Sequence, residues 1–156
     1  FSAQSLTDVL AERSQSQVAI RLLADPGFAS RSFSEVLDLL GVALPDRFCK
    51  LEKGNRPLVK ALSGVGSPRL ARGDKLHHKF AVIDNRIVIT GSFNWSPSAA
   101  HQNDETLLVI HSPQLAAHFN REIDRMWRGA ELGITPWMRR KLERQRVKCG
   151  SGTTRA

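Results

Sequence analysis

A small set of polar residues at fixed offsets gives this chain its chemistry. His77-x-Lys79 is followed after four residues by Asp84, and after six more by Gly91-Ser92-x-Asn94. If residues 77–83 are extended, the two-residue period of a strand points His77 and Lys79 to one face and His78 to the other. Ser92 and Asn94, also two apart, can then face the same point. Gly91 removes a side chain where a ligand or another backbone approaches. An imidazole, an ammonium, a hydroxyl and a carboxamide converging in this way suit a phosphodiester. A neutral His attacks phosphorus, while Lys79, Ser92 and Asn94 hold the non-bridging oxygens and stabilise the charge that develops. No cluster of carboxylates and no Cys/His set accompanies them, so the sequence calls for no metal and no cofactor.

Each residue alone has an ordinary reading: a His at a strand end is commonly structural, and Ser-x-Asn is commonly a turn. Together they do not, because six specified residues at fixed offsets arise by chance roughly once in tens of millions of windows.

Charge agrees with a phosphate ligand. The net charge is +8, and it is concentrated in two blocks. Residues 47–79 carry nine basic side chains against Glu52 and Asp74, and residues 137–156 carry seven against Glu143. The first block runs through Arg72 and Lys75 into His77, which makes those two further candidates for holding substrate phosphates. Clustered Lys and Arg neutralise phosphates and release counterions, so nucleic acid is the expected partner. Anionic lipid head groups attract the same charges.

The elements that must position these residues follow from periodicity. Leu6, Val9 and Leu10 predict a helix over 5–14, with Ser5 as its cap. Residues 18–24 (VAIRLLA) predict a strand buried on both faces and ended by Asp25-Pro26-Gly27. Ser32-Phe33-Ser34-Glu35 is a capping-box pattern opening a helix through Leu40 that stops at Gly41. The glycine- and proline-punctuated stretch 52–74 reads as a long loop. Two apolar runs, 80–83 and 86–90, flank the turn pair Asp84-Asn85 and predict a hairpin or a tightly bent strand pair deep in a sheet. Residues 106–110 (TLLVI) predict another buried strand. Ser112-Pro113 opens an amphipathic helix with Leu115, Phe119, Ile123, Met126 and Trp127 on one face. Thr135-Pro136 opens a short, very basic helix over 137–147. Cys49 and Cys149 fit no metal-ligand spacing, and their pairing and the compartment stay open.

The motif His77-x-Lys79-x4-Asp84-x6-Gly91-Ser92-x-Asn94 resembles the HKD motif of the phospholipase D superfamily. The likeness covers most of residues 1–128 and is greatest to the small, single-motif, endonuclease-like branch. It implies an α/β fold, a mixed β-sheet flanked by helices, with residues 1–134 as the HKD domain and 135–156 as a basic helix and flexible tail. By the same resemblance His77 forms a phosphohistidine intermediate without metal. Lys79, Ser92 and Asn94 hold the phosphate, and Glu105, in Asn103-x-Glu105, orients the motif His. Asp84 is a further catalytic candidate, with either a direct part in the chemistry or a structural or His-supporting one. The family's reaction uses two facing motifs, and this chain has one. A homodimer, or an upstream second HKD half, is therefore the expected partner. Relative to the family pattern, a first strand–helix–strand unit ahead of residue 5 is expected to be missing. Three functions stay open: a nuclease, a phospholipase or phosphatidyltransferase, and a non-catalytic nucleic-acid-binding module.

Overall fold

The computed structural model describes residues 1–150; the tail expected over the last few residues lies outside them. The strands form two three-stranded sheets rather than one. In the first, β1 (Leu22–Leu23) runs parallel to β2 (Val65–Ser67), which pairs antiparallel with β6 (Glu131–Leu132). In the second, β3 (Phe80–Ile83), β4 (Ile87–Gly91) and β5 (Leu107–His111) form an antiparallel meander. Six helices surround them: α1 (Gln4–Gln15), α2 (Pro26–Ala29), α3 (Glu35–Leu39), α4 (Pro97–His101), α5 (Pro113–Trp127) and α6 (Pro136–Cys149).

The main core lies between α3, β2 and α6. Val36, Leu37, Leu39, Leu40, Val42, Leu44 and Val65 are buried with Met138 and Leu142 of α6, while Leu10 of α1 packs against them. The basic C-terminal helix is thus part of the fold's core on one face. Its opposite end is tied down by a disulfide between Cys49 and Cys149. The second sheet is covered by α5: the Phe80 and Phe119 rings meet edge-on at 4.8 Å, and Val88 and Ala116 are fully buried. An ion pair between Arg21 and Asp124 at 2.8 Å, with the Arg21 guanidinium also over the Trp127 ring, ties the first sheet's region to α5.

Two helices start as their local chemistry predicts. The Ser112 hydroxyl accepts from Leu115 N at 3.1 Å and the Thr135 hydroxyl accepts from Met138 N at 3.2 Å, each with Pro in the first turn. Both satisfy a helix-end N–H that would otherwise be unpaired.

Several expectations are corrected. α1 begins at Gln4 behind Ala3, with no side-chain cap, so Ser5 sits inside the helix. The strand over 18–24 shrinks to two half-buried residues, and Val18 is half exposed. Asp25 does not merely end it; its side chain accepts from Phe28 N at 3.0 Å and caps α2. The capping box fails because the N-cap is Ser34, one residue before Glu35, and it makes no side-chain cap bond. Glu35 is buried in the first turn of α3 instead. The stretch 52–74 contains the fully buried strand β2. It escapes periodicity because Val65-Gly66-Ser67 has one apolar side chain. Gly66 is needed there, since a Cβ would lie 2.2 Å from Glu131 O. β5 is not buried either: it is an edge strand with Leu107, Leu108 and Val109 about half exposed. An apolar run predicts a strand without saying whether its neighbours are present.

Candidate active site

The β3–β4 hairpin places the motif. Residues Phe80–Ile83 pair with Ile87–Thr90, and Asp84 and Asn85 close the turn with φ of 50° and 54°. Two successive left-handed residues match the right-handed twist of the strands, and Asp and Asn tolerate that conformation best after Gly. Asn120 of α5 donates to Asn85 Oδ1 at 2.7 Å and holds the turn against the helix. Asp84 is therefore at the far end of β3 from Lys79, separated by a four-residue strand of about 13 Å. The fold does not bring it to the other motif residues.

At the near end, His77, His78 and Lys79 lead into β3. With Phe80, Thr90, Gly91 and the α5 residues His118, Phe119 and Glu122 they line an open cleft of about 480 Å³. Lys79 is half-buried, and its Nζ donates to His77 O at 2.9 Å, so the ammonium and the His77 backbone are fixed relative to one another. The His77 ring is exposed. The strand itself starts only at Phe80, so the strict alternation expected over 77–83 is not kept, and His78 joins His77 and Lys79 in the cleft wall.

A second group forms where β4 meets β5. The Ser92 hydroxyl donates to Glu105 Oε2 and accepts from Thr106 N at 3.0 Å; Ser92 N donates to Thr106 O at 2.9 Å. Asn103 Nδ2 donates to the other carboxylate oxygen of Glu105 at 3.0 Å. These two bonds, with the Lys79 charge nearby, hold the Glu105 carboxyl below its usual range. Lys79 is pulled down by partial burial, and Glu105 opposes that shift. Lys79 and Glu105 are thus electrostatic neighbours across the hairpin end. Gly91 makes this possible: at φ +152° a Cβ would lie 1.9 Å from Thr106 O. Of the two reasons for a glycine there, the close approach is that of a neighbouring backbone.

Asn94 is exposed on the loop after β4. That loop is anchored by the Ser2 N to Trp95 O bond at 2.9 Å and by Phe93 packing on Trp95. Arg72 and Lys75 are exposed on the segment approaching His77. The segment is fixed by Leu76 N donating to Asp25 Oδ2 at 3.1 Å. The structure thus groups His77 with Lys79, and Ser92 with Glu105 and Asn103. It places Asn94, Arg72 and Lys75 on the flanking loops.

Sequence reasoning missed the α5 wall. His118 and Glu122 sit four apart, so both face the cleft while Phe119 packs on Phe80. Glu122 is held by Arg125 at 2.6 Å and lies 3.8 Å from His78 Nδ1. The i, i+4 spacing of a His and a Glu beside the amphipathic stripe was the available signal. Among the described residues no group of three His, Cys, Asp or Glu is placed to hold a metal ion.

A family model described as "Cardiolipin synthase, PLD-like domain" matches residues 1–127. The chain is 28% identical over 122 residues to a mitochondrial cardiolipin hydrolase of Chlamydomonas reinhardtii, covering 78% of this chain and 45% of that protein. It is 40% identical over 52 residues to the mitochondrial cardiolipin hydrolase of Homo sapiens, which is 33% of this chain and 21% of that protein. A phospholipase D of Rickettsia prowazekii is 26% identical over 119 residues, 76% of this chain and 48% of that protein. The chain thus spans at most about half the length of these curated relatives. Among solved structures, the phospholipase D family member Nuc from Salmonella typhimurium aligns with 29% identity and a TM-score of 0.40 over 44% of each chain.

Proposed function

Because the chain belongs to the phospholipase D-like family and is similar to members named as phosphodiester hydrolases, we propose that it carries half of a metal-independent phosphodiesterase site acting on DNA or RNA. The observation that carries this reading is the cleft in which Lys79 is fixed beside His77, at the head of a loop bearing Arg72 and Lys75.

In the first step an imidazole nitrogen of His77 forms the N–P bond as the P–O bond to the leaving nucleotide breaks. In the second, water attacks phosphorus and frees the imidazole. Lys79 and Asn94 donate to the non-bridging oxygens. The single Ser92 proton goes to Glu105, so Ser92 reaches a phosphate oxygen only by turning that proton away. Glu105 accordingly acts as a positioning residue, through Ser92 and through the Lys79 charge. The leaving oxygen requires a proton. Its donor on this reading is the His77 of a second copy, or a second motif elsewhere in the polypeptide.

A second reading is hydrolysis of an anionic phospholipid, and it is favoured by relatives that carry the name cardiolipin hydrolase. The experiment separates the two. Labelled single- and double-stranded oligonucleotides, and vesicles containing cardiolipin, are incubated with the protein in EDTA beside a His77→Ala variant. EDTA-resistant oligonucleotide cleavage that the variant loses supports the nuclease. Release of phosphatidic acid without oligonucleotide cleavage supports the lipid enzyme. Salt-sensitive binding with no turnover of either substrate leaves only a nucleic-acid-binding module.

A further inference from the structure

We propose that the outward face of α6, which lies beyond the residues matched by the family model, is a second contact for the nucleic-acid backbone, leading away from the His77 cleft. The inference rests on the nucleic-acid reading above and adds to it a surface and its orientation. α6 buries Met138 and Leu142 in the core and turns Arg139, Arg140, Arg144, Arg146 and Lys148 to solvent, with Glu143 the one acid among them. None of these five cations is in an ion pair among the described residues. Trp137, Arg140, Glu143, Arg144 and Val147 line a shallow groove of about 570 Å³ along the helix.

The face is held rigidly. Thr135 caps its start, Lys141 Nζ donates to Ser30 O at 2.7 Å, Lys148 Nζ donates to Arg47 O at 3.1 Å, and the disulfide to Cys49 fixes its end. It is also near the approach to the cleft. Lys141 grips one end of α2 at Ser30, and Leu76, the residue before His77, grips the other at Asp25. α2 has only four residues, a span of about 6 Å. A basic track therefore runs from Arg72 and Lys75 past Arg31 to α6.

The same face is a poor membrane anchor. Its two exposed apolar side chains, Trp137 and Val147, stand ten positions apart with arginines between them, so no apolar stripe exists to enter a bilayer. A fourteen-residue helix is about 21 Å long and runs beside about six phosphates of one strand, at roughly 3.4 Å per phosphate.

The test measures binding of a fluorescent twenty-nucleotide duplex to the His77→Ala protein, with and without Arg140→Ala/Arg144→Ala. If both arginines contact phosphates, the salt slope falls by about two. Raising salt from 50 to 200 mM then costs the double variant about tenfold less affinity than the parent. Arg140→Lys/Arg144→Lys should keep most of the slope. Turnover of a small aryl phosphodiester by the variant with His77 intact should not change. Unchanged slope in a folded double variant overturns the contact, as does α6-dependent capture by phosphatidylglycerol vesicles with no α6-dependent oligonucleotide binding. Absence of cleavage beside α6-dependent oligonucleotide binding would sink the catalytic reading and leave the contact standing.

Discussion

Replacing Gly91 with Ala should damage the site and the fold through a single backbone contact. The added Cβ would lie 1.9 Å from Thr106 O and 2.8 Å from its carbonyl carbon, and φ at Gly91 is +152°. The obstacle is the backbone of the paired strand, which cannot turn aside as a flexible side chain would. Relief therefore requires β4 and β5 to part at their shared end. That separation breaks the Ser92 N to Thr106 O bond and the Thr106 N to Ser92 Oγ bond. Two hydrogen bonds at about 1 kcal/mol each and overpacking strain of about 1–3 kcal/mol bring the cost to roughly 3–5 kcal/mol. Parting the strands relieves part of the overlap, so these effects are not fully additive. The loss is a large share of a stability that for a domain of this size is about 5–15 kcal/mol. Urea denaturation should show the lowered midpoint. Activity per folded molecule should fall as well, because Ser92 and Glu105 lose their common anchor. A loss below about 1 kcal/mol with unchanged turnover would refute the reasoning and return Gly91 to the role of making room for a ligand.

Three other outcomes follow from the same structure. Burial raises the Glu35 carboxyl from 4.5 to about 7; a folded acid with a raised pKa favours the protonated form, so its support is full below about pH 4.5 and is lost as pH rises through 7. Thermal melts of Glu35→Gln should therefore match the parent near pH 4.5 and exceed it at pH 8 by up to about 3 kcal/mol, flattening the pH dependence. Removing the Glu105 charge with Glu105→Gln withdraws what opposes the burial shift on Lys79, so the alkaline limb of the turnover profile should move to lower pH; a limb that stays in place would mean Lys79 does not set it. The Cys49→Ser/Cys149→Ser variant, which opens a hundred-residue loop, should lose about 2–4 kcal/mol in chemical denaturation, and oligonucleotide binding should then weaken before cleavage does.

The parts of the molecule that were legible beforehand are those whose signal is local. The Asp84-Asn85 turn, the amphipathic stripe of α5 and the Ser112-Pro113 and Thr135-Pro136 helix starts each place chemistry within a few residues of its effect. The motif residues were legible for a different reason, since their offsets are set by one hairpin and its exit. What escaped depends on pairing at long range. β2 is recognisable only through partners at Leu22–Leu23 and Glu131–Leu132, and the exposure of β5 only through the sheet order. The Ser92–Glu105–Asn103 group needed the β4–β5 register, and the α5 wall of the cleft needed the docking of Phe119 on Phe80. The cysteine pairing, across a hundred positions, had no local trace at all.

On the proposed reading one motif supplies half a site, and the histidines of the cleft are consistent with that. Three imidazoles line the cleft, and two are already engaged. His78 lies beside the Glu122 carboxylate and against the Phe80 ring, and His118 Nδ1 is 2.6 Å from the Arg121 guanidinium. The ring of His77 has no hydrogen bond or ion pair among the described residues, and its backbone is the part that Lys79 holds. A free imidazole on a fixed backbone suits a nucleophile, which must keep its lone pair available. Among the described residues it leaves no second free imidazole in the cleft to protonate the leaving oxygen. The missing acid is therefore best sought in another copy or another segment. Concentration tells the two apart: if a second copy supplies the acid, activity should rise with the square of protein concentration where copies are dilute, and if another segment supplies it, activity should rise linearly. A lone copy of residues 1–156 that is fully active as a monomer would contradict a two-imidazole reaction.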